Sequence, residues 1–387
     1  MKTKKTAAII LALGALNGSL ANANLVDKTN LQFSGYVKAD AMLSSYSDGT
    51  LASGSIGRDF YLPSLTPVGG EKESAQFDAH IKQSRFRFTT NTDLENGGKI
   101  SGVLEFDFQT TPNGNERVSN SYEPRIRHAF IKYNNWLIGQ TWTTFLDVKS
   151  LPETLDFIGA TDGSIFVRQT MLKYTTGNFE ISVENPETTV TPFGGGSRIV
   201  TDDNYIPDLA ARYTFKGDWG HFAVAGLVRK LSYVNKQNGA DIDTSATSAG
   251  LSLTAKINLG QDDLRIMANI GRGLGRYIAL NTADAAVLTA DNTLETINSS
   301  GFSIAYRHFW NPQWRSNFTY SIFSADNDTA LTGLSATKQT YSARTNILYS
   351  PSKELTFGAE YAYAKRELES GADGDMSRLQ FSATYAF

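Results

Sequence analysis

The last eleven residues, Ser377-Arg378-Leu379-Gln380-Phe381-Ser382-Ala383-Thr384-Tyr385-Ala386-Phe387, keep a strict two-residue period. Leu379, Phe381, Ala383, Tyr385 and Phe387 share one face; Arg378, Gln380, Ser382 and Thr384 share the other. Successive side chains leave a strand on opposite sides, whereas a helix repeats every 3.6 residues, so this run reads as an amphipathic strand. The same alternation recurs upstream: Ile100/Gly102/Leu104/Phe106/Phe108 against Ser101/Glu105/Asp107/Gln109, and Leu209/Ala211/Tyr213/Phe215 against Asp208/Arg212/Thr214/Lys216. It returns in Leu251–Ile257, Leu264–Ile270, Phe302–Tyr306, Trp314–Ile322, Tyr341–Tyr349 and Leu355–Tyr361.

Between these strands, short and long connections alternate. Short turns fall at Leu94–Lys99, Asn134-Asn135, Thr176–Asn178, Lys216–Gly220, Leu259–Asp263, Trp310–Trp314 and Tyr349–Lys353. Long polar stretches fall near 44–80, 110–124, 143–165, 186–206, 235–248, 274–299, 324–339 and 366–377. Seven short and eight long connections predict sixteen strands, with both termini at the short-turn end. An even count with tight turns at one end and long loops at the other describes a bacterial outer-membrane barrel: all-β, antiparallel and membrane-spanning. A soluble β-sandwich also alternates polar and apolar residues. Strand segments of about ten residues suit a tilted transmembrane strand better than the usual five or six of soluble sheets. Aromatics at strand ends (Trp136, Trp219, Trp310, Trp314, Tyr349, Tyr385) read as interfacial girdles. The terminal Phe387 resembles the signature by which barrel proteins are recognised for insertion.

The 387 residues include no cysteine, which excludes disulfides, Cys-ligated metals and thiol chemistry. Residues 1–23 carry Lys2, Lys4 and Lys5, an apolar run from Thr6 to Leu16, and a small-x-small ending at Ala21-Asn22-Ala23. This reads as a cleaved secretory signal, with the mature domain spanning 24–387; eleven apolar residues are too few for a membrane anchor. Removing three lysines and no acid deepens the net charge from −3 to −6.

A barrel of sixteen strands leaves an aqueous channel, so the expected function is passage of small solutes. An arginine facing lipid near the bilayer midplane costs about 2–4 kcal/mol, which forces mid-strand arginines inward. Arg85, Arg87, Arg125, Arg127, Arg212, Arg265, Arg307, Arg315, Arg344 and Arg378 are therefore candidate pore-lining residues, joined by Arg168 and Arg229. Strand acids are fewer: Asp40, Glu105, Asp107, Glu180, Glu184 and Glu360. Arginine rows in a narrow lumen concentrate anions, and the planar guanidinium suits carboxylates or phosphates. If facing acids neutralise those rows instead, the channel is a weakly selective general porin.

The third long loop, Thr143–Ile165, carries Phe145, Leu146, Leu151, Leu155 and Phe157, too many apolar residues for free solvation. Folded into the barrel, it would form a constriction and bring Asp147, Lys149, Glu153 and Asp156 to the wall, the acids close to its arginines. Burial at a subunit contact is the alternative.

The run Arg125-Ile126-Arg127-His128-Ala129-Phe130-Ile131-Lys132-Tyr133, followed by Leu137-Ile138-Gly139-Gln140-Thr141-Trp142-Thr143-Thr144-Phe145, resembles the strand-turn-strand signature of the DcaP-like porins. The resemblance covers essentially the whole mature chain. It implies a homotrimeric, sixteen-stranded channel in the outer membrane of a Gram-negative bacterium, linked to uptake of dicarboxylates and related organic anions. Arg125 and Arg127 would line the pore, and the loop from Thr143 would form its constriction. Only Asn24–Asn30 separate the signal from the first strand, so the periplasmic coiled coil of some members is not expected. The expected partners are further copies of the chain, outer-membrane lipid and lipopolysaccharide, and small anions.

An outer-membrane phospholipase or protease is the alternative class. His80, His128, His221 and His308 stand singly, without triad or metal spacing, so no enzyme chemistry, cofactor or metal is expected. Gly271-Arg272-Gly273-Leu274-Gly275-Arg276 lacks phosphate-loop spacing, and the acidic Asp326–Asp328 and Asp373–Asp375 lack that of a calcium loop. An acidic chain with dispersed arginines gives no support for nucleic-acid binding.

Overall fold

A computed structural model describes residues 29–110, 119–237 and 241–387; the signal segment 1–23 lies outside the described residues, as do parts of the second and fifth long loops. The transmembrane strands are β1 (Thr29–Tyr46), β2 (Gln76–His80 resumed at Arg85–Asp93), β3 (Lys99–Asp107), β4 (Arg125–Tyr133), β5 (Trp136–Trp142), β6 (Arg168–Thr176), β7 (Phe179–Glu184) and β8 (Asp208–Gly217). They continue with β9 (Gly220–Asn235), β10 (Ile242–Leu259), β11 (Asp262–Arg272), β12 (Asn298–Phe309), β13 (Trp314–Asp326), β14 (Thr337–Tyr349), β15 (Leu355–Leu368) and β16 (Asp373–Ala386). Each strand pairs antiparallel with its sequence neighbour, and β16 pairs with β1 from Tyr36↔Ala386 to Tyr46↔Met376, closing a sixteen-stranded barrel. Both pieces of β2 pair with β1, His80 opposite Asp40 and Arg85 opposite Tyr36, so the break at 81–84 interrupts one strand and adds none to the count. Closure leaves no unpaired edge, which a sheet in hydrocarbon requires.

The barrel is inside-out. Phe33, Leu104, Ile131, Ile138, Leu209, Val228, Ile270, Phe318 and Phe381 are exposed, while Asp40, Asp107, Arg127, Glu184, Asp208, Arg229, Arg344, Glu360 and Arg378 are buried. The two-residue period allows this, since each strand offers an apolar face to lipid and a polar face to the interior. Trp136, Trp219, Trp310, Trp314 and Tyr385 are exposed at the short-turn end.

All eight long connections fall where expected, but several are shorter. The fifth narrows because β10 already begins at Ile242, and the eighth because β15 and β16 run to Leu368 and from Asp373. These extensions (Asp243, Thr244 and Ser245; Lys365 and Asp375) carry no apolar stripe, so hydropathy reads them as loop although their backbones remain paired. A small separate sheet joins Thr188–Thr191, Ile199–Thr201, Ala286–Leu288 and Leu294–Thr296, linking the fourth and sixth long loops.

Candidate functional site

Two regions of the buried polar face carry most of the charge. The first spans β2 to β6. Arg125 donates from Nε and Nη2 to the two carboxylate oxygens of Asp107, at 3.0 and 2.9 Å. Arg127 donates to Glu105 Oε1 (2.9 Å) and Asp107 Oδ2 (2.8 Å), and Arg87 reaches Glu105 Oε2 at 3.4 Å. Arg85 lies 3.6 Å from Glu105, and its Nε has no hydrogen-bond partner. Arg168 takes no part in a described ion pair; its guanidinium sits 4.4 Å over Trp142 and 5.9 Å from Phe166, with Nη1 unpartnered. Four guanidinium groups thus share two carboxylates, Glu105 and Asp107, and a fifth, Arg168, stands beside them without one. Phe157 lies 5.6 Å from the Arg125 guanidinium and 5.3 Å from that of Arg127.

Arg168 departs from simple alternation. It shares its side of β6 with the exposed Thr170 and Leu172, while Gln169 and Met171 take the buried face. Position at the strand end lets its side chain turn back over Trp142, whose ring meets Phe166 at 4.6 Å.

In the second region, charges are matched. Arg265 and Arg307 both bind Asp263, and Arg307 and Arg315 both bind Glu153, the latter pair at 2.6 Å. Arg344 lies 3.7 Å from Asp156 and 3.4 Å from Glu360. Arg212 pairs with Glu180, and Arg229 with Asp208 at 2.9 Å. Arg378 is buried without a carboxylate and donates to Ser44 Oγ (2.8 Å) and the Gly57 carbonyl (2.7 Å).

The segment from Thr143 to Ile165 threads these groups in order. The Thr144 amide donates to Glu184 of β7 (2.9 Å), and Arg212 of β8 donates to the Leu146 carbonyl. Asp147 accepts from His221 of β9 (2.6 Å) and Thr254 of β10 (3.1 Å). Arg265 donates to the Leu151 carbonyl, Glu153 meets Arg307 and Arg315, and Asn346 of β14 reaches the Glu153 carbonyl at 3.0 Å. Gly163 lies against the backbone of β12: a Cβ there would stand 2.2 Å from the Phe302 carbonyl oxygen, so only glycine fits. Asp147, expected to meet arginine, meets a histidine and a threonine instead, because Arg212 is taken by Glu180 and the Leu146 carbonyl. Lys149 is exposed, and its backbone amide donates to the Asp147 carboxylate, which caps the short helical turn Val148–Ser150.

Burial pushes the Glu153 carboxyl up, but hydrogen bonds and charge from Arg315 and Arg307 outweigh it and hold the group below its usual range. Asp162 has no charged hydrogen-bond partner: Tyr61 donates to it at 2.8 Å, Ser342 also binds it, and burial pushes it up. Burial and the carboxylates of Glu184 and Asp208 push the Tyr277 hydroxyl well above its ordinary value, keeping it a donor to Asp208 at 2.9 Å.

Residue spacing missed Lys38, Asp263 and His221. Lys38 and His221 carry no pairing signal in their own strands, and Asp263 falls in what reads as a turn; register alone reveals their partners. The rings of His80, His128, His221 and His308 find Asp59, Thr141, Asp147 and Asp262 respectively. Among the described residues, no cluster of His, Asp and Glu has the arrangement of a metal site.

A closed barrel with an apolar exterior and a charged interior defines the porin class of outer-membrane protein. A family model described as "DcaP outer membrane protein" matches residues 20–387, and the chain belongs to that family. The outer membrane of a Gram-negative bacterium is its location. Among solved structures, the outer membrane channel DcaP of Acinetobacter baumannii is similar at 22% identity and TM-score 0.76, covering 93% of this chain and 98% of that one. An anion-selective porin from Comamonas acidovorans (10% identity, TM-score 0.56, 93% and 100% covered) shares the fold. So does the trimer form of OmpT from Vibrio cholerae (12%, 0.55, 93% and 100% covered). The comparison with curated protein sequences returned no match.

Proposed function

We propose that the protein is a passive, water-filled, anion-preferring channel for small organic anions such as dicarboxylates, working as a homotrimer after removal of residues 1–23. The carrying observation is the imbalance on β2–β6, where the described ion pairs set Arg85, Arg87, Arg125 and Arg127 against Glu105 and Asp107 and give Arg168 no carboxylate. Three uncompensated positive charges beside low-dielectric walls raise the local concentration of anions. The segment Thr143–Ile165 forms the constriction, leaving the arginine cluster as the far bank of the solute path. No group acts chemically on the solute; Arg87, the most accessible of the five, passes it along by charge-assisted hydrogen bonds. Lipid and lipopolysaccharide surround the apolar band, and no cofactor is required.

The test is the zero-current potential of purified protein in a planar bilayer under a potassium chloride gradient. A potential of the sign set by chloride supports the reading; a cation-set potential overturns it.

A further inference from the structure

We propose that Lys38 and Glu360 are positioning residues that act on the arginine cluster from the adjoining stretch of wall, β15 to β1, by clamping the Leu155 peptide and so bracing Phe157 against Arg125 and Arg127. This rests on the channel reading above.

The Leu155 amide donates to Glu360 Oε2 at 2.8 Å, and the Asp156 amide to Oε1 at 3.3 Å. The Leu155 carbonyl accepts from Lys38 Nζ at 2.6 Å and from Gln380 Nε2 at 3.1 Å. One peptide is therefore gripped on both edges by groups from β15, β1 and β16. Lys38 and Glu360 are 8% and 2% exposed, so neither has room for a solute. Each is itself held: Lys38 by Gln83 (2.8 Å) and Asp40 (3.2 Å), Glu360 by Asn346 (3.0 Å) and Arg344 (3.4 Å). Charge-assisted hydrogen bonds are about twice as strong as neutral ones, and losing one strands a buried partner.

Phe157 follows two residues later. An extended chain covers at most about 7 Å in two residues, so a displaced Leu155 pulls on Phe157, whose ring also packs on Phe60 (5.2 Å) and Phe166 (5.9 Å). Its ring lies within 5.6 Å of both guanidinium centres, occupying faces that water or solute would otherwise reach. Lys38 thus counts as a cation of the barrel interior by sequence, yet its charge is spent on a backbone carbonyl.

Opposite charges make the test decisive. If Lys38 and Glu360 act only through the lumen field, Lys38→Met lowers anion preference and Glu360→Gln raises it. The clamp requires both to lower it: a glutamine amide presents a donor to one of two backbone donors, the loop is released, and water reaching the guanidinium faces that Phe157 covers weakens their field. The expected fall in anion-to-cation permeability ratio is about two-fold for each, with Lys38→Arg restoring the original value. A rise for Glu360→Gln, or no change in either, overturns the proposal. Heat-modifiable gel mobility checks that the barrels fold, and Gln380→Leu is the substitute if one does not. A second readout separates this idea from the channel reading. The chain has no cysteine, so Phe157→Cys carries a single nitroxide label. Its spectrum is expected to be immobile in the parent and mobile with Lys38→Met or Glu360→Gln. Mobility without any parent anion preference would refute the channel reading alone; an unchanged spectrum refutes the clamp.

Discussion

Arginines do opposite work on the two sides of the barrel. On β11–β15, Arg265, Arg307, Arg315 and Arg344 face Asp263, Glu153, Asp156 and Glu360, charge for charge. On β2–β6 Arg85, Arg87, Arg125 and Arg127 share Glu105 and Asp107, and Arg168 is left over the Trp142 ring. Matched pairs at low dielectric hold geometry and cancel their field, whereas unmatched ones project it. A count of arginines along the strands therefore overstates the selective surface, because roughly half of them act as fasteners.

The largest effect expected from breaking this contrast is at Glu153. Glu153→Ala takes from Arg315 its one described carboxylate and leaves Arg307 with Asp263 alone, and removing one partner of a largely buried pair costs about 3 kcal/mol. Urea unfolding in detergent micelles should show that loss, and single-channel records should show higher, noisier conductance. Unchanged stability would mean that the loop is held elsewhere.

Next in size is the unmatched side. Arg125→Gln with Arg127→Gln leaves Asp107 and Glu105 with fewer partners, and the permeability ratio should shift toward cations by about ten-fold. Arg168→Gln removes an unpaired cation, with a shift of about two-fold and little change in stability. Equal effects from Arg265→Gln would erase the distinction between the sides.

Acid should act on the matched side first. Because the folded-state Glu153 carboxyl lies below its ordinary value, its contribution is fully present above that ordinary value, near pH 4.3, and fades as pH falls through the folded value. Conductance noise should therefore stay constant from pH 7 to about 4.5 and rise below about pH 4. Asp162 has the opposite sign: raised by burial, it destabilises when ionised, so protonation relieves it. Noise that grows already near pH 6 would remove Glu153 from this role. The smallest effect belongs to Lys149→Gln, an exposed change expected within about 0.5 kcal/mol in stability and with no measurable selectivity shift.

Strand number, direction and inward-facing set were legible because a two-residue period assigns each side chain to a face without reference to any neighbour. Leu104 outward and Glu105 inward follow from their positions alone. What failed locally failed where that rule loses its grip. The bulge between Glu105 and Phe106 on β3 offsets Arg127 and His128, and Arg168 at a strand end escapes its parity. The outer halves of β10 and β16 lack an apolar stripe because no hydrocarbon lies against them.

The sequence by itself determined a closed sixteen-stranded barrel and its location, since alternation and turn chemistry are local. Only the tertiary structure decided which charges cancel. Glu153 meets Arg315 across 162 positions of chain, and Leu155 meets Glu360 across 205. No period carries that information, because it arises from where a packed loop meets each strand of a closed wall.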